Sequence, residues 1–73
     1  MIAIMPLTFV GPGESREILE IRGKDETRRF LENLGFVTGS MVTVVSKLGG
    51  NLIVSVKDSR VAISHKMANR IMV

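Results

Sequence analysis

The side chains that most often carry out chemistry in proteins are scarce in this chain of 73 residues. It contains no cysteine and one histidine, His65. First-row transition metals favour sites that combine histidine with carboxylate ligands. The nearest acidic residue in sequence, Asp58, is separated from His65 by a segment with the pattern of a strand. We therefore predict no dedicated metal site and no cofactor, and interpret His65 as a surface residue near the start of a helical turn.

Covalent catalysis is equally unsupported by the residue pattern. The chain has no thiol nucleophile, and no spacing indicates a serine activated by its histidine. The segment Gly11-Pro12-Gly13-Glu14 has some likeness to a phosphate-binding loop. It lacks the Gly-Lys-Ser/Thr ending and the helix that such loops require. We interpret it as a turn between two apolar segments, and we expect no enzymatic activity.

Composition indicates one small domain that spans residues 1–73. A chain of this size buries only about 60% of its unfolded surface. Because it has no cysteine, the hydrophobic residues, which make up 45% of the chain, must form the core. The formal net charge is +3 and the charges are interspersed, so we do not expect nucleic-acid binding. No apolar run approaches the roughly 20 residues of a membrane span, and we do not expect insertion into a membrane.

One helix with a glycine stop is predicted over Glu26–Leu34. Its apolar residues recur three and four positions apart, with charged residues between them. The glycine after the helix suits a left-handed C-cap, from which the next aromatic residue can fold back onto the last turn. Structural roles are assigned to five residues, and Phe30 is expected in the core: the five are Phe30, Leu31, Gly35, Gly39 and Val54.

The remaining pattern predicts short strands and tight turns. The predicted strands are Ser15–Arg22, Met41–Val45, Leu52–Lys57 and Arg60–Ser64. Turns are predicted at Leu48–Asn51 and at Asp58-Ser59, and Ser64 is a candidate N-cap for a helical turn over His65–Arg70. This alternation predicts a mainly β fold: a small β-barrel of about five strands with one inserted α-helix and a short C-terminal helical turn.

An ordered series of motifs runs along almost the whole chain. The series is Met5-Pro6-Leu7, Gly13-Glu14, Leu31-x-x-Leu34-Gly35-Phe36-x-x-Gly39, Gly50-Asn51-Leu52-Ile53-Val54, Arg60-Val61-Ala62-Ile63 and Ala68-x-x-Ile71-x-Val73. Together these motifs resemble the ferrous-iron transport protein A (FeoA) family. The resemblance implies an SH3-like barrel and a role as a cytoplasmic accessory of the membrane iron transporter FeoB, which carries a GTP-binding domain.

The family resemblance also implies docking onto the cytoplasmic part of that transporter, with peripheral placement at the inner membrane through it. Many relatives carry a longer, proline-containing loop where this chain has Leu48–Asn51, so this loop would contact a partner through backbone and Asn51 alone. We predict a partner interface from eight residues: Leu34, Phe36, Met41, Gly49, Gly50, Asn51, Met67 and Met72.

Several alternatives stay open at this stage. An arginine finger acting on GTP hydrolysis would come from a residue predicted to be exposed, namely Arg16, Arg28, Arg29 or Arg60. A second alternative is a nucleic-acid-binding module, or a domain associated with metal regulators that resembles the C-terminal domain of iron-dependent repressors. Direct binding of ferrous iron and weak self-association through strand edges also stay open.

Overall fold

The computed structural model of the protein describes residues 4–73 and is mainly β, as predicted. A 3-10 turn is followed by six strands and two helices within that range. In chain order the elements are the 3-10 turn (Leu7–Phe9), β1 (Ser15–Glu17), β2 (Glu20–Ile21), α1 (Asp25–Asn33), β3 (Met41–Leu48), β4 (Asn51–Val56), β5 (Ser59–Ser64), α2 (His65–Ala68) and β6 (Ile71–Met72).

The strands form two antiparallel sheets, with the orders β1-β3-β4-β5 and β2-β6. The predicted single strand Ser15–Arg22 is wrong, because this segment passes from one sheet to the other. The amide of Ile18 donates to the carbonyl of Ser40 at 2.8 Å, and the next amide, of Leu19, donates to Met72 at 2.9 Å. One short segment therefore connects the two sheets and joins the C-terminal strand to the barrel.

The two hairpins β3–β4 and β4–β5 form the centre of the larger sheet. β3 continues three residues beyond the predicted end at Val45, with an irregularity between Val44 and Ser46. The second turn was predicted at Asp58-Ser59 but consists of Lys57 and Asp58, with φ values of 48° and 64°. Val56 pairs with Ser59, and this closing pair leaves two residues for the loop. Positive φ at both positions is typical of hairpin turns that match the twist of the strands.

The end of α1 confirms the predicted glycine cap. Gly35 has a φ of 107°. Its amide donates to the carbonyl of Glu32 at 2.9 Å, and the amide of Phe36 donates to the carbonyl of Leu31 at 3.0 Å. These two bonds are those of a Schellman motif, which satisfies carbonyl groups at the end of a helix. The cap turns the chain so that Phe36 enters the core.

The role predicted for Phe30 in the core is wrong. Leu31 is the only residue of α1 that is buried, whereas the side chain of Phe30 is 49% exposed. Neighbouring residues of a helix point about 100° apart, and the barrel contacts α1 along a narrow line. Leu31 occupies that line, so Phe30 faces outwards.

Aliphatic side chains fill the interior between the sheets. No polar or charged residue is buried among residues 4–73. The C-terminus completes the packing, since the amide of Val73 donates to Met5 at 2.8 Å and the amide of Met5 donates back at 3.0 Å. The fully buried side chains are Leu7, Val10, Ile18, Leu31, Phe36, Val42, Val44, Leu52, Val54, Val56, Ala68 and Ile71.

A substitution of Gly35 by alanine tests the helix cap. We expect Gly35→Ala to lower the free energy of unfolding by about 1–3 kcal/mol, because a side chain at positive φ is strained. Each kcal/mol corresponds to a fall of about 4–8 °C in the melting temperature of so small a domain. The matched control is Gly50→Ala, since Gly50 lies outside the positive-φ region and has open space at its Cβ position. Equal melting temperatures for the two variants would contradict the cap.

Candidate functional site

The residues considered for metal binding do not come together. His65 begins α2, and Asp58 precedes β5, so the six residues of that strand separate them. At about 3.3 Å per residue they lie roughly 23 Å apart along the strand. Within residues 4–73, no group of three or more histidine, aspartate or glutamate side chains could hold a metal ion.

In the glycine-rich turn at Gly11–Glu14, two backbone amides donate hydrogen bonds to backbone carbonyls of the domain. The amide of Glu14 donates to the carbonyl of Gly11 at 3.1 Å, and the amide of Gly13 donates to Val44 at 2.6 Å. Phosphate loops bind anions through backbone amides that point at the ligand. Here both amides already have carbonyl acceptors, so the segment acts as a turn that attaches the chain to β3.

The four arginines differ in their surroundings. Arg28, Arg29 and Arg60 are exposed, as predicted. Arg16 was also predicted to be exposed but is only partly so. Its guanidinium donates to Glu14 Oε1 at 2.8 Å and to the carbonyl of Ser15 at 2.9 Å. In this conformation the Arg16 guanidinium is therefore bonded to groups of its own segment.

Two of the eight predicted interface residues are buried. Phe36 is fully buried and Met72 is 5% exposed. Phe36 follows the glycine cap into the core, and Met72 pairs with Glu20 and forms a bridge with Pro6. In this conformation neither side chain can contact a partner, and their predicted interface role is wrong.

The other six predicted residues fall at opposite ends of the larger sheet. Met41 begins β3, and Leu48 ends it immediately before the turn Gly49-Gly50. Seven residue steps of about 3.3 Å separate these two ends by roughly 23 Å. The predicted residues therefore do not form one surface.

We define the helix end by Phe30, Leu34 and Met41. Phe30 and Met41 are 49% and 55% exposed, and Leu34 is partly buried against the core. Phe30 and Leu34 are four positions apart and are therefore neighbours on the helix surface. A Cβ at Gly35 would lie 3.6 Å from side-chain atoms of Val56 and Lys57, so α1 finishes against the end of β4.

We define the hairpin end by three segments: residues 6–10, 46–51 and 64–69. Lys47 Nζ donates to the carbonyl of Thr8 at 2.8 Å, and Thr8 Oγ1 donates to Asn69 Oδ1 at 2.7 Å. The amide of His65 donates to the carbonyl of Gly50 at 2.7 Å. Ser64 is the N-cap of α2, as predicted, and its Oγ accepts a hydrogen bond from the amide of Met67 at 3.2 Å. These bonds tie the hairpin, the 3-10 turn and α2 together.

Sequence reasoning missed the two most prominent side chains of the hairpin end. Phe9 and Leu48 are 73% and 65% exposed, more than any other large hydrophobic residue in the part of the chain described. Each lies close to a turn: Leu48 precedes Gly49-Gly50, and Phe9 comes two residues before Gly11-Pro12. Apolar residues beside turn glycines often lie on the surface, because loops run there. Their positions close to turn glycines could have indicated from the sequence that Phe9 and Leu48 are exposed.

Comparison with models of protein families identifies the family to which the chain belongs. The FeoA domain model matches residues 5–73. The chain belongs to the FeoA domain family. Members of this family take part in ferrous iron transport as accessory proteins. A search of curated protein sequences returned no match.

Solved structures of FeoA proteins share the fold of this domain. A crystal structure of an iron uptake regulatory protein, FeoA, is 31% identical, with a TM-score of 0.88 over 97% of this chain and 95% of that one. FeoA from Stenotrophomonas maltophilia complexed with zinc, described as a prokaryotic SH3 domain protein, is 30% identical. Its TM-score is 0.76 over 92% of this chain and 86% of that one. The predicted SH3-like barrel is confirmed.

A regulator of transcription has the same fold in one of its parts. A manganese-dependent transcriptional repressor superposes with a TM-score of 0.87 at 18% identity, over 96% of this chain and 40% of the repressor. At this identity the likeness concerns the fold alone. For the FeoA domain itself, no helix within residues 4–73 is both long and apolar enough to cross a membrane.

Removal of the Ser64 hydroxyl tests how the hairpin end is held. We expect Ser64→Ala to lower the free energy of unfolding by about 1 kcal/mol, because α2 loses its N-cap. Amide exchange at Met67 should accelerate, since that amide loses its acceptor. Ser59→Ala, at the other end of β5, is the matched control because a strand and not a helix follows it. Unchanged exchange at Met67 would argue against the cap.

Proposed function

We propose that this FeoA domain is a non-enzymatic, cytoplasmic accessory of ferrous-iron uptake that docks onto the cytoplasmic region of a FeoB-type transporter. Membership of the FeoA family supports the role in iron transport. The FeoA protein of S. maltophilia has been suggested as a bacterial ferrous iron transport activating factor. Within residues 4–73 no group of histidine and acidic side chains could hold a metal ion, and the amides of Gly13 and Glu14 already donate to carbonyls. Both observations are compatible with action through contact.

The observation that carries this proposal is the apolar surface of α1 at the helix end. Phe30 is half exposed beside Leu34, although a small domain gains by burying its few aromatic residues. The other helix positions three and four residues from Phe30 are Glu26, Thr27 and Asn33. An apolar anchor surrounded by polar residues is the usual arrangement of an energetic centre in a protein interface.

The exposed face of α1 suits recognition of a helix by a groove. In that mode an amphipathic helix places its apolar residues in a hydrophobic groove of the partner. The Schellman cap fixes the orientation of α1 relative to the barrel. Phe30 is therefore already in place for binding, and no flexible segment has to become ordered first. Binding to a preorganised surface loses less conformational entropy.

Regulation of the transporter would follow from different affinities for its states. A bound protein shifts a conformational equilibrium only if it binds one state more tightly than the other. A tenfold difference in affinity corresponds to about 1.4 kcal/mol. The rigid, aliphatic core makes this FeoA domain suited to such a role, because it presents one fixed surface to both states.

Binding measurements with the purified cytoplasmic region of the transporter test the proposal. We expect Phe30→Ser to raise the dissociation constant about tenfold, since a half-exposed phenyl group loses its apolar burial. Leu31 stays in place, so the melting temperature should change little. The matched control is Phe9→Ser, which removes an exposed phenylalanine from the hairpin end and should bind as the natural chain does. Absence of binding by the natural chain, or equal weakening by both variants, would disprove docking through the helix end.

A further inference from the structure

The hairpin end carries the two most exposed large hydrophobic side chains among residues 4–73, and docking through the helix end does not use them. Phe9 and Leu48, 73% and 65% exposed, end two separate elements, the 3-10 turn and β3. Burial of either side chain in an apolar environment would be favourable. The hydrogen bond from Lys47 Nζ to the carbonyl of Thr8, at 2.8 Å, joins the two elements.

The two apolar side chains lie at the same end of the larger sheet, since the 3-10 turn that ends at Phe9 is bonded to Lys47, the residue before Leu48. Lys47 pairs with Leu52, which is buried, so Lys47 lies on the inner face and reaches the 3-10 turn from there. Leu48 pairs with the exposed Asn51 and lies on the outer face, because directly paired residues share a face. Phe9 is the last residue of the 3-10 turn that Lys47 contacts. Both apolar residues can therefore enter one planar interface at the tip of the sheet.

The hairpin end is basic, and the acidic Glu14, whose carboxylate lies beside Gly11, is paired with Arg16 at 2.8 Å. The three segments of the hairpin end contain Lys47, Lys66 and the histidine His65 but no acidic residue, although the chain has seven. Both lysines and the histidine are exposed. Basic residues are attracted to the negative surface potential of an anionic membrane. Apolar side chains beside them can enter the boundary between headgroups and acyl chains.

We propose that the hairpin end binds the surface of an anionic phospholipid bilayer, with Phe9 and Leu48 entering the interface and Lys47 and Lys66 contacting headgroup phosphates. A nucleic acid is a poorer match, because bases stack on aromatic rings and Leu48 offers none. A peptide groove is also a poorer match, because Phe9 and Leu48 are both highly exposed, 73% and 65%, and belong to separate segments of the chain. The helix end, roughly 23 Å away along β3, stays free for the transporter.

Vesicle partitioning of the purified chain tests this proposal without any transporter. The natural chain should bind vesicles of equimolar phosphatidylcholine and phosphatidylglycerol, and not vesicles of phosphatidylcholine alone. Added salt should weaken the binding, because it screens exposed charges. We expect Phe9→Ser and Leu48→Ser each to reduce the partition coefficient roughly fivefold. Lys66→Glu should reduce it by about fivefold or more.

Two control variants match these changes at the other end of the sheet. Met41→Ser removes an exposed apolar side chain, and Arg60→Glu reverses an exposed charge. Both should partition as the natural chain does, and all five variants should melt cooperatively. The proposal is overturned if the natural chain binds neither vesicle, or if the controls weaken binding as much as the test variants. Binding to an RNA oligonucleotide without binding to vesicles would overturn it in favour of a nucleic-acid partner. Because no transporter is present in these experiments, each of these three outcomes leaves the proposal of docking through the helix end unaffected.

Discussion

Aliphatic packing on the inner faces of β3 and β4 holds the other parts of this FeoA domain in place. Val42 and Val44 of one strand and Leu52, Val54 and Val56 of the other are almost completely buried. With no disulfide available in a chain without cysteine, the stability of so small a domain depends on this burial. The segment that links the two sheets, the cap of α1 and the C-terminal strand all attach to the same core.

The length of β3 separates two surfaces of different chemistry. At its start, α1 presents Phe30 among uncharged and mixed-charge neighbours. At its end, Phe9 and Leu48 lie among basic residues. A rigid barrel keeps these surfaces at a constant distance, which would allow one small domain to contact a transporter and the bilayer around it together. Contact at one end would then orient the other, with no need for a flexible linker.

Prediction from sequence succeeded where the signal was local. The cap at Gly35 and the N-cap at Ser64 each depend on a few adjacent residues, and both are present. The turn at Lys57-Asp58 was placed one residue late, because a two-residue loop is fixed by pairing between strands and not by turn residues alone. Phe30 was assigned to the core because apolar periodicity does not say how wide a stripe the barrel covers.

The amino-acid sequence by itself determined the mainly β class, the family, the aliphatic core and the absence of a cysteine-based site, since these follow from composition, period and ordered motifs. Only the tertiary structure decided which apolar residues stay outside. Phe36 and Met72 are buried while Phe9, Phe30 and Leu48 are exposed, although all five are apolar. The reason is that burial depends on contacts between segments distant in the chain, such as β2 with β6 and the 3-10 turn with Lys47. Such long-range contacts cannot be read from the pattern of neighbouring residues in the sequence.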